Sequence, residues 1–472
     1  MDPIIARNQE IKLLSTLYDS QKPEFLAIYG RRRVGKTFLI REFFKNKGVY
    51  FSLTGLKGAS LKKQLINFSS EFSGIFQETI QPKTWQEAFD HLRRALQKIT
   101  TRSRIILFFD ELPWLATARS EFLLDLDYLW NRYLSEDSRI ILIICGSAAS
   151  WMIRKVLRNK GGLHGRLTAQ IRLLPFTLAE TELFLQSKGV LLDRKSLLEI
   201  YMAIGGIPKY LSYIQRGQSA LQTVSNLCFN GPLIDEFQEL YSSLFSSHER
   251  HLQVIQSLAK HPTGLSKSQL AKKTQLSMGG GMNLILEELE QSGFIMTLEE
   301  FGKKKKDCRF KLIDEYSLFY LRWSSQAKGN SLSSYDPQFW LHMATSPSAK
   351  TWAGYAFEMI CLKHLPQIKK ALGIAGVLTR ASGRACKETQ IDLLIDRADR
   401  CINLCEIKFS SAELVIDKEL DQSLREKKEQ FLSHTKVKKS IFLTLISPYG
   451  IKPNVGYFGT VDLSLTMDDL FA

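Results

Sequence analysis

Gly30-Arg31-Arg32-Arg33-Val34-Gly35-Lys36-Thr37 is the stretch on which the rest of the chain turns. It follows the apolar run Phe25-Leu26-Ala27-Ile28-Tyr29 and precedes the helical pattern Phe38-Leu39-Ile40-Arg41-Glu42-Phe43-Phe44. Strand, glycine turn, Gly-Lys-Thr and helix together are the context of a phosphate-binding P-loop. Gly30 and Gly35 admit backbone conformations that a side chain would block, so successive N–H groups can face one concavity. The helix that follows adds its positive N-terminal end to this anion site. The predicted nucleotide cradle therefore runs from Gly30 through Arg31, Arg32, Arg33, Val34, Gly35, Lys36 and Thr37 to Phe38. Lys36 is placed to reach the terminal phosphates of ATP, and the Thr37 hydroxyl to hold Mg²⁺.

Working outward, further apolar runs occur at Val49–Leu53, Ile105–Phe109 and Ile140–Cys145, separated by helical stretches. Unbroken apolar strands alternating with helices predict an α/β fold with a parallel sheet covered on both faces. Ligands bind at the C-terminal edge of such a sheet. The third run ends there on Asp110-Glu111, which looks like a Walker B pair. In that role Asp110 belongs to the Mg²⁺ site and Glu111 orients and deprotonates the attacking water. Ser147, at the end of the next run, is either a contact to the γ-phosphate or attacking water, or a helix cap. Arg166 is either an arginine finger, in cis or across a homo-oligomer interface, or a surface arginine.

Length and charge set the wider frame. At 472 residues, several domains are expected. Lys and Arg number 64 against 48 Asp and Glu, a formal charge of +16 that favours a polyanionic partner. Nucleic acid is the first such partner and an anionic membrane surface the second. No apolar run is long enough to span a membrane and no secretory signal is apparent, so a cytoplasmic location is expected by elimination. The seven cysteines are scattered and form neither a disulfide framework nor a zinc-ligand pattern.

The expected organisation is a P-loop ATPase core at residues 1–175, a helical lid at 176–245 and a winged helix-turn-helix at 246–323. A C-terminal α/β domain at 337–472 follows the polar linker Ser324 to Asp336. Pro208 in Gly205-Gly206-Ile207-Pro208 stops one lid helix and can start the next. Lys267, Lys272 and Lys273 on the second helix of the winged unit, and Lys303 to Lys306 in its hairpin, are candidate phosphate contacts to DNA. Intramolecular packing is the other role open to that unit. In the last domain, Ile391-Asp392-Leu393-Leu394-Ile395 and Ile402 to Lys408 read as strands. Alternation places Glu406 and Lys408 on one face. If these strands are neighbours, Asp392, Glu406 and Lys408 converge, a set suited to Mg²⁺ and phosphodiester hydrolysis. An edge-strand coincidence is the other reading of so short a pattern.

Several motifs together resemble the archaeal-type ATPases, a branch of the AAA-like STAND P-loop NTPases. They are Arg7 to Glu10, the GRRRVGKT loop, FFDELPW (Phe108 to Trp114), CGSAASWM (Cys145 to Met152), HGR (His164 to Arg166), LLPF (Leu173 to Phe176) and GGIPKYL (Gly205 to Leu211). The resemblance implies that Arg7 lies near the adenine and that Pro208 approaches the nucleotide in place of a second sensor arginine. Ala148 stands where relatives often carry a second serine, leaving Ser147 as the sensor. A helix bearing Glu358, then Asp392, then Glu406-Ile407-Lys408 resembles the PD-(D/E)xK nuclease fold of restriction endonucleases and Holliday-junction resolvases. It also resembles the domain usually fused to archaeal-type ATPases. Carried over, Glu358, Asp392 and Glu406 would be metal ligands and Lys408 the catalytic lysine. Gln390 stands where other nuclease families often have proline. Two functions follow as expectations: an ATPase acting on DNA through a Mg²⁺-dependent nuclease-like domain, or a nucleotide switch whose last domain binds without cleaving.

Overall fold

The computed structural model describes residues 3–117, 120–157, 163, 165–245, 247–303, 308–327, 338–383, 391–435, 437–452 and 459–472. His164, Lys304 to Lys306, Gln390 and most of the predicted linker lie outside the described residues. The chain divides into two compact units, Met1–Pro175 and Phe176–Ala472.

The first unit alternates helices α1 (Asn8–Asp19), α2 (Lys36–Phe44), α3 (Leu61–Phe76), α4 (Trp85–Gln97), α5 (Leu112–Leu115), α6 (Phe122–Arg132) and α7 (Ala149–Met152) with five strands. The strands are β1 (Glu24–Tyr29), β2 (Val49–Thr54), β3 (Ile105–Asp110), β4 (Ile140–Gly146) and β5 (Ala169–Arg172). All pairings are parallel, in the order β2-β3-β4-β1-β5. β3 and β4 are buried along their whole length, which is why they read as continuous apolar runs. β5 was not read from the sequence. It is an edge strand whose side chains are mostly exposed, so Ala169-Gln170-Ile171-Arg172 carries no apolar signal.

An aromatic cluster fills one face of this sheet. Phe51, Phe68, Trp85, Phe89, Phe109 and Phe122 are all buried. Phe89 meets Phe122 at 5.4 Å between ring centres and Phe109 at 6.0 Å, both edge-to-face. This contact ties α4 and α6 to the strand that ends on Asp110. Thr84 starts α4 by accepting a hydrogen bond from the Glu87 N–H at 3.1 Å.

The second unit begins with helices α8 (Leu178–Ser187), α9 (Arg194–Ile204), α10 (Pro208–Leu211), α11 (Ala220–Cys228) and α12 (Glu236–Leu244). Three helices and three short strands follow: α13 (His248–Ala259), β6 (Leu265–Ser266), α14 (Lys267–Thr274), α15 (Gly280–Gln291), β7 (Ile295–Leu298) and β8 (Arg309–Leu312). The strands form an antiparallel sheet in the order β6-β8-β7. Ser266 caps α14 in a reciprocal pair with Gln269.

The remainder comprises α16 (Glu315–Phe319), α17 (Phe339–Met343), α18 (Pro347–Lys363), α19 (Leu365–Ala371), β9 (Thr379–Ser382), β10 (Leu393–Arg397), β11 (Cys401–Ile407), α20 (Lys418–Thr435), β12 (Ser440–Ile446), β13 (Leu463–Leu465) and α21 (Met467–Leu470). Its sheet is mixed, in the order β13-β12-β11-β10-β9. β9, β10 and β11 run antiparallel, while β11, β12 and β13 run parallel. Leu424 and Phe431 of α20 pack over Leu394, Leu404 and Leu443.

Within this unit the later elements are joined to the earlier ones by buried polar contacts. His364, at the end of α18, donates from Nδ1 to the Ile360 carbonyl at 2.8 Å. Its Nε2 accepts the Leu178 N–H at 3.1 Å, so the ring is neutral in the fold. Burial lowers its pKa to about 4, with the Ile360 bond opposing.

Two tests follow from this packing. Phe89→Ala should lower the unfolding free energy of the first unit by about 3–5 kcal/mol, read as a shift of the guanidinium midpoint. For His364 the folded pKa lies below the unfolded value of roughly 6.5. The unfolded chain therefore gains a proton first, and stability is lost as pH falls through about 6.5 toward 4. Urea titrations at pH 7 and 4.5 should differ by about 2–3 kcal/mol from this group, a difference absent in His364→Gln.

Candidate nucleotide site and an acid–lysine cluster

The cradle forms where β1 turns into α2. Gly30 has φ +148°, and a Cβ there would lie 2.2 Å from the Leu173 carbonyl oxygen. β5 pairs with β1 and brings that carbonyl against the loop. Gly35 has φ +93° with open space beside it, so its requirement is conformational rather than steric. Lys36 is only 5% exposed. Its Nζ donates to the carbonyls of Gly30 and Arg31, both at 3.0 Å, and to Ser147 Oγ at 3.1 Å. The ammonium thus sits inside the loop, held by neutral acceptors that a phosphate oxygen can replace.

Sheet order explains the third acceptor. β4 lies between β1 and β3, so Ser147 emerges between the cradle and the acid pair. Its hydroxyl donates to Glu111 Oε1 at 2.6 Å, and its N–H donates to Oε2 at 3.3 Å. Ser147 is not a helix cap: α7 begins after Ala148 with no side-chain cap. Glu111 has φ +48°, an uncommon conformation for a non-glycine residue that aims its carboxylate across the strand ends. Asp110 Oδ1 accepts the Glu111 N–H at 2.9 Å, and Oδ2 accepts from Thr37 Oγ1 at 2.7 Å. Two oxygens this close at the mouth of the cradle fit the partial, water-retaining coordination that Mg²⁺ prefers.

The other predicted residues of this site are placed differently. Arg7 is buried, and its guanidinium donates to the Val34 carbonyl at 3.2 Å. It holds the loop at Val34, an engagement the adenine reading did not anticipate. Arg31 is buried, while Arg32, Arg33 and Phe38 are half-buried. Arg33 takes φ +70° within the turn. Arg166 is exposed in the turn before β5, its N–H donating to the Leu163 carbonyl at 3.1 Å. Pro208 belongs to the second unit, at the first position of α10.

The second unit gathers the acids named at the C-terminal end. Residues Leu393 and Cys405 face each other across antiparallel strands, which puts Asp392 beside Glu406. Asp392 Oδ2 accepts the Ile407 N–H at 2.9 Å. Burial, with the nearby Glu406 and Glu358 carboxylates adding to it, pushes the Asp392 pKa up to about 7. Glu406 is only 2% exposed. Its Oε1 pairs with Lys408 Nζ at 2.8 Å and its Oε2 with Lys427 Nζ at 2.6 Å. Burial works against the Lys408 ammonium, but Glu406 and Asp392 hold it above the usual lysine range. Glu358, on α18, pairs with Lys311 of β8.

Lys311 and Lys427 were missed in the sequence. Lys427 had a signal: it lies three residues after Leu424 and four before Phe431, so a helix puts it on the buried face. Lys311 had none, because its partner is 47 positions away. With all three carboxylates engaged, a divalent cation does not fit this arrangement. Among the described residues, no group of three His, Cys, Asp or Glu side chains is arranged to hold a metal ion.

The predicted phosphate contacts of the three-helix, three-strand segment divide in two. Lys272 and Lys273 are exposed on α14. Lys267 instead bonds to Asn283 at 2.5 Å, and Lys303 pairs with Glu300. The described cysteines are free thiols, and no helix among the described residues is long and apolar enough to cross a membrane.

Comparison with known proteins bears on the N-terminal part above all. Residues 4–214 match the family described as an ATPase domain predominantly from Archaea. The uncharacterized protein MJECL04 of Methanocaldococcus jannaschii is 25% identical over 375 residues, 78% of each chain. The uncharacterized ATP-binding protein MJ0423 of the same organism is 40% identical over 45 residues, 10% of this chain and 76% of that protein. Among solved structures, the Walker-type ATPase PABY2304 of Pyrococcus abyssi aligns with a TM-score of 0.48 at 18% identity, covering 68% of this chain and 96% of that one. The ORC2 protein of Aeropyrum pernix aligns with a TM-score of 0.42 at 15% identity, covering 68% and 94%. The cradle and the acid pair both lie inside residues 4–214, the stretch that matches this ATPase domain family.

Proposed function

We propose that the protein is an ATP-hydrolysing regulatory ATPase of the AAA-like STAND class that acts on DNA. In this reading residues 1–175 are the catalytic core, 176–245 a lid, 246–323 a winged helix and 337–472 a PD-(D/E)xK nuclease-like domain. One observation carries the ATPase part: Ser147 links Lys36 to Glu111 while Thr37 bonds to Asp110. Lys36 exchanges its loop carbonyls for phosphate oxygens when ATP binds. Once Lys36 moves, the Ser147 hydroxyl is released toward the γ-phosphate, and Glu111 is released to take the proton of the attacking water. Mg²⁺ at Thr37 and Asp110 would draw charge from the β- and γ-phosphates. Arg166, exposed before β5, suits an arginine offered to the nucleotide of a neighbouring copy.

Support for DNA is the +16 charge, exposed Lys272 and Lys273 on α14, and the meeting of Glu358, Asp392, Glu406 and Lys408. The alternative is a nucleotide switch whose last domain binds without cleaving. It is favoured by the pairing of Glu358 with Lys311 and of Glu406 with Lys408 and Lys427.

Steady-state ATP hydrolysis tests the core. Glu111→Gln should lower kcat by about 10²–10⁴ while nucleotide affinity stays close to wild type. Ser147→Ala should lower kcat by about 10–10². Lys36→Ala should abolish binding of a fluorescent ATP analogue. Unchanged binding in Lys36→Ala, or unchanged turnover in Glu111→Gln, would remove the P-loop assignment.

A further inference from the structure

We infer that Gln64 is a positioning residue for Glu111, its buried amide fixing the turn that aims the Glu111 carboxylate. The role rests on reading Glu111 as the group that takes the proton of the attacking water. Gln64 does not touch the reacting atoms; it decides where that carboxylate points.

The turn at Glu111 does not hold itself. Glu111 has φ +48°, a backbone conformation disfavoured for any residue with a Cβ. The helix that follows, α5, is four residues long and has no side-chain cap, and a single helical turn is not stable on its own hydrogen bonds. Its internal bonds run from the Trp114 N–H to the Glu111 carbonyl and from the Ala116 N–H to the Leu112 carbonyl, both at 2.9 Å. Leu112 and Leu115 are fully buried in the aromatic cluster, which fixes the apolar side of the turn. The Trp114 carbonyl has no continuing helix to bond to and needs a partner from elsewhere.

Gln64 supplies that partner. It lies near the start of α3 and is 1% exposed. Its Nε2 donates to the Trp114 carbonyl at 3.0 Å and to the Leu56 carbonyl at 2.8 Å, while its Oε1 accepts the Leu56 N–H at 3.1 Å. Both amide donors are therefore spent on backbone carbonyls of two different loops. The second loop, after β2, is itself tied to the acid pair. The Gly55 N–H donates to the Asp110 carbonyl at 2.9 Å, and a Cβ on Gly55 would stand 2.7 Å from the Glu111 carbonyl oxygen. The turn thus lies flat against the loop, and one amide bonds both. Without it, two inward carbonyls lose their donor at a cost that favours rearrangement of the turn. Lys36 and the Thr37–Asp110 bond are untouched, so the effect falls on turnover and not on nucleotide binding.

The test uses full-length protein, steady-state ATP hydrolysis, binding of a fluorescent ATP analogue, and hydrogen exchange over residues 111–117 and 30–38. Gln64→Met keeps the length and apolar packing of the side chain but makes none of its hydrogen bonds. It should lower kcat about tenfold or more while analogue affinity stays within about twofold. Exchange should quicken over 111–117 and not over 30–38. Added to Glu111→Gln, the same change should lower kcat by less than about twofold, because a base already removed cannot be misaimed. If Gln64→Met folds poorly, judged by its guanidinium midpoint, Gln64→Glu takes its place. That side chain keeps the size and the acceptor for Leu56 but can donate to at most one of the two carbonyls, and it should give the same split with a smaller loss. Wild-type kcat in these variants overturns the positioning role and leaves the base assignment standing. So does an equal loss of analogue affinity, or a tenfold loss that persists in the Glu111→Gln background, since either means that Gln64 acts through the fold at large. Wild-type turnover in Glu111→Gln alone removes the base assignment, and the role of Gln64 with it.

Discussion

The first unit depends on a strand inserted between two others. Because β4 separates β1 from β3, the P-loop and the acid pair are about two strand spacings apart, roughly 10 Å. Thr37 of the P-loop reaches Asp110 directly, and Glu111 is reached through Ser147. Ser147 fills the gap, accepting from Lys36 and donating to Glu111. The ammonium, the hydroxyl and the carboxylate form one hydrogen-bonded row along the carboxyl ends of the strands.

The rigidity needed for that row comes from the interior. The apolar run of β3 carries Phe109 into the aromatic cluster immediately before Asp110, and the same cluster holds α4 and α6. The loop, by contrast, is kept open by backbone geometry. Gly30 lies against the Leu173 carbonyl at a distance no other residue allows, and Arg7 holds the loop at Val34. Packing positions the acids, and backbone geometry with hydrogen bonding positions the loop.

The second unit uses charge in another way. Lysines from three separate elements meet carboxylates from α18 and β11, with Asp392 between them held by the Ile407 N–H. Buried ion pairs add little net stability compared with apolar packing, yet losing one partner is expensive.

The cradle, the parallel class of the first sheet, Asp110-Glu111 and, in the second unit, α13 to α15, β7, β8, α18, β10 and β11 were legible in local patterns. Period, turn residues and a capping serine act over a few positions, and a linear reading can see them. β5 was lost because an edge strand has no buried run. The placement of Ser147 between Lys36 and Glu111 was decided by strand order, which connects residues more than a hundred positions apart. The placement of Arg7 at Val34, the reach of Lys427 from α20 and the seat of Lys311 on Glu358 share that cause. Each depends on which elements pack together. Packing of distant segments is driven by apolar area, which is nearly blind to the identity of the polar partners it brings into contact.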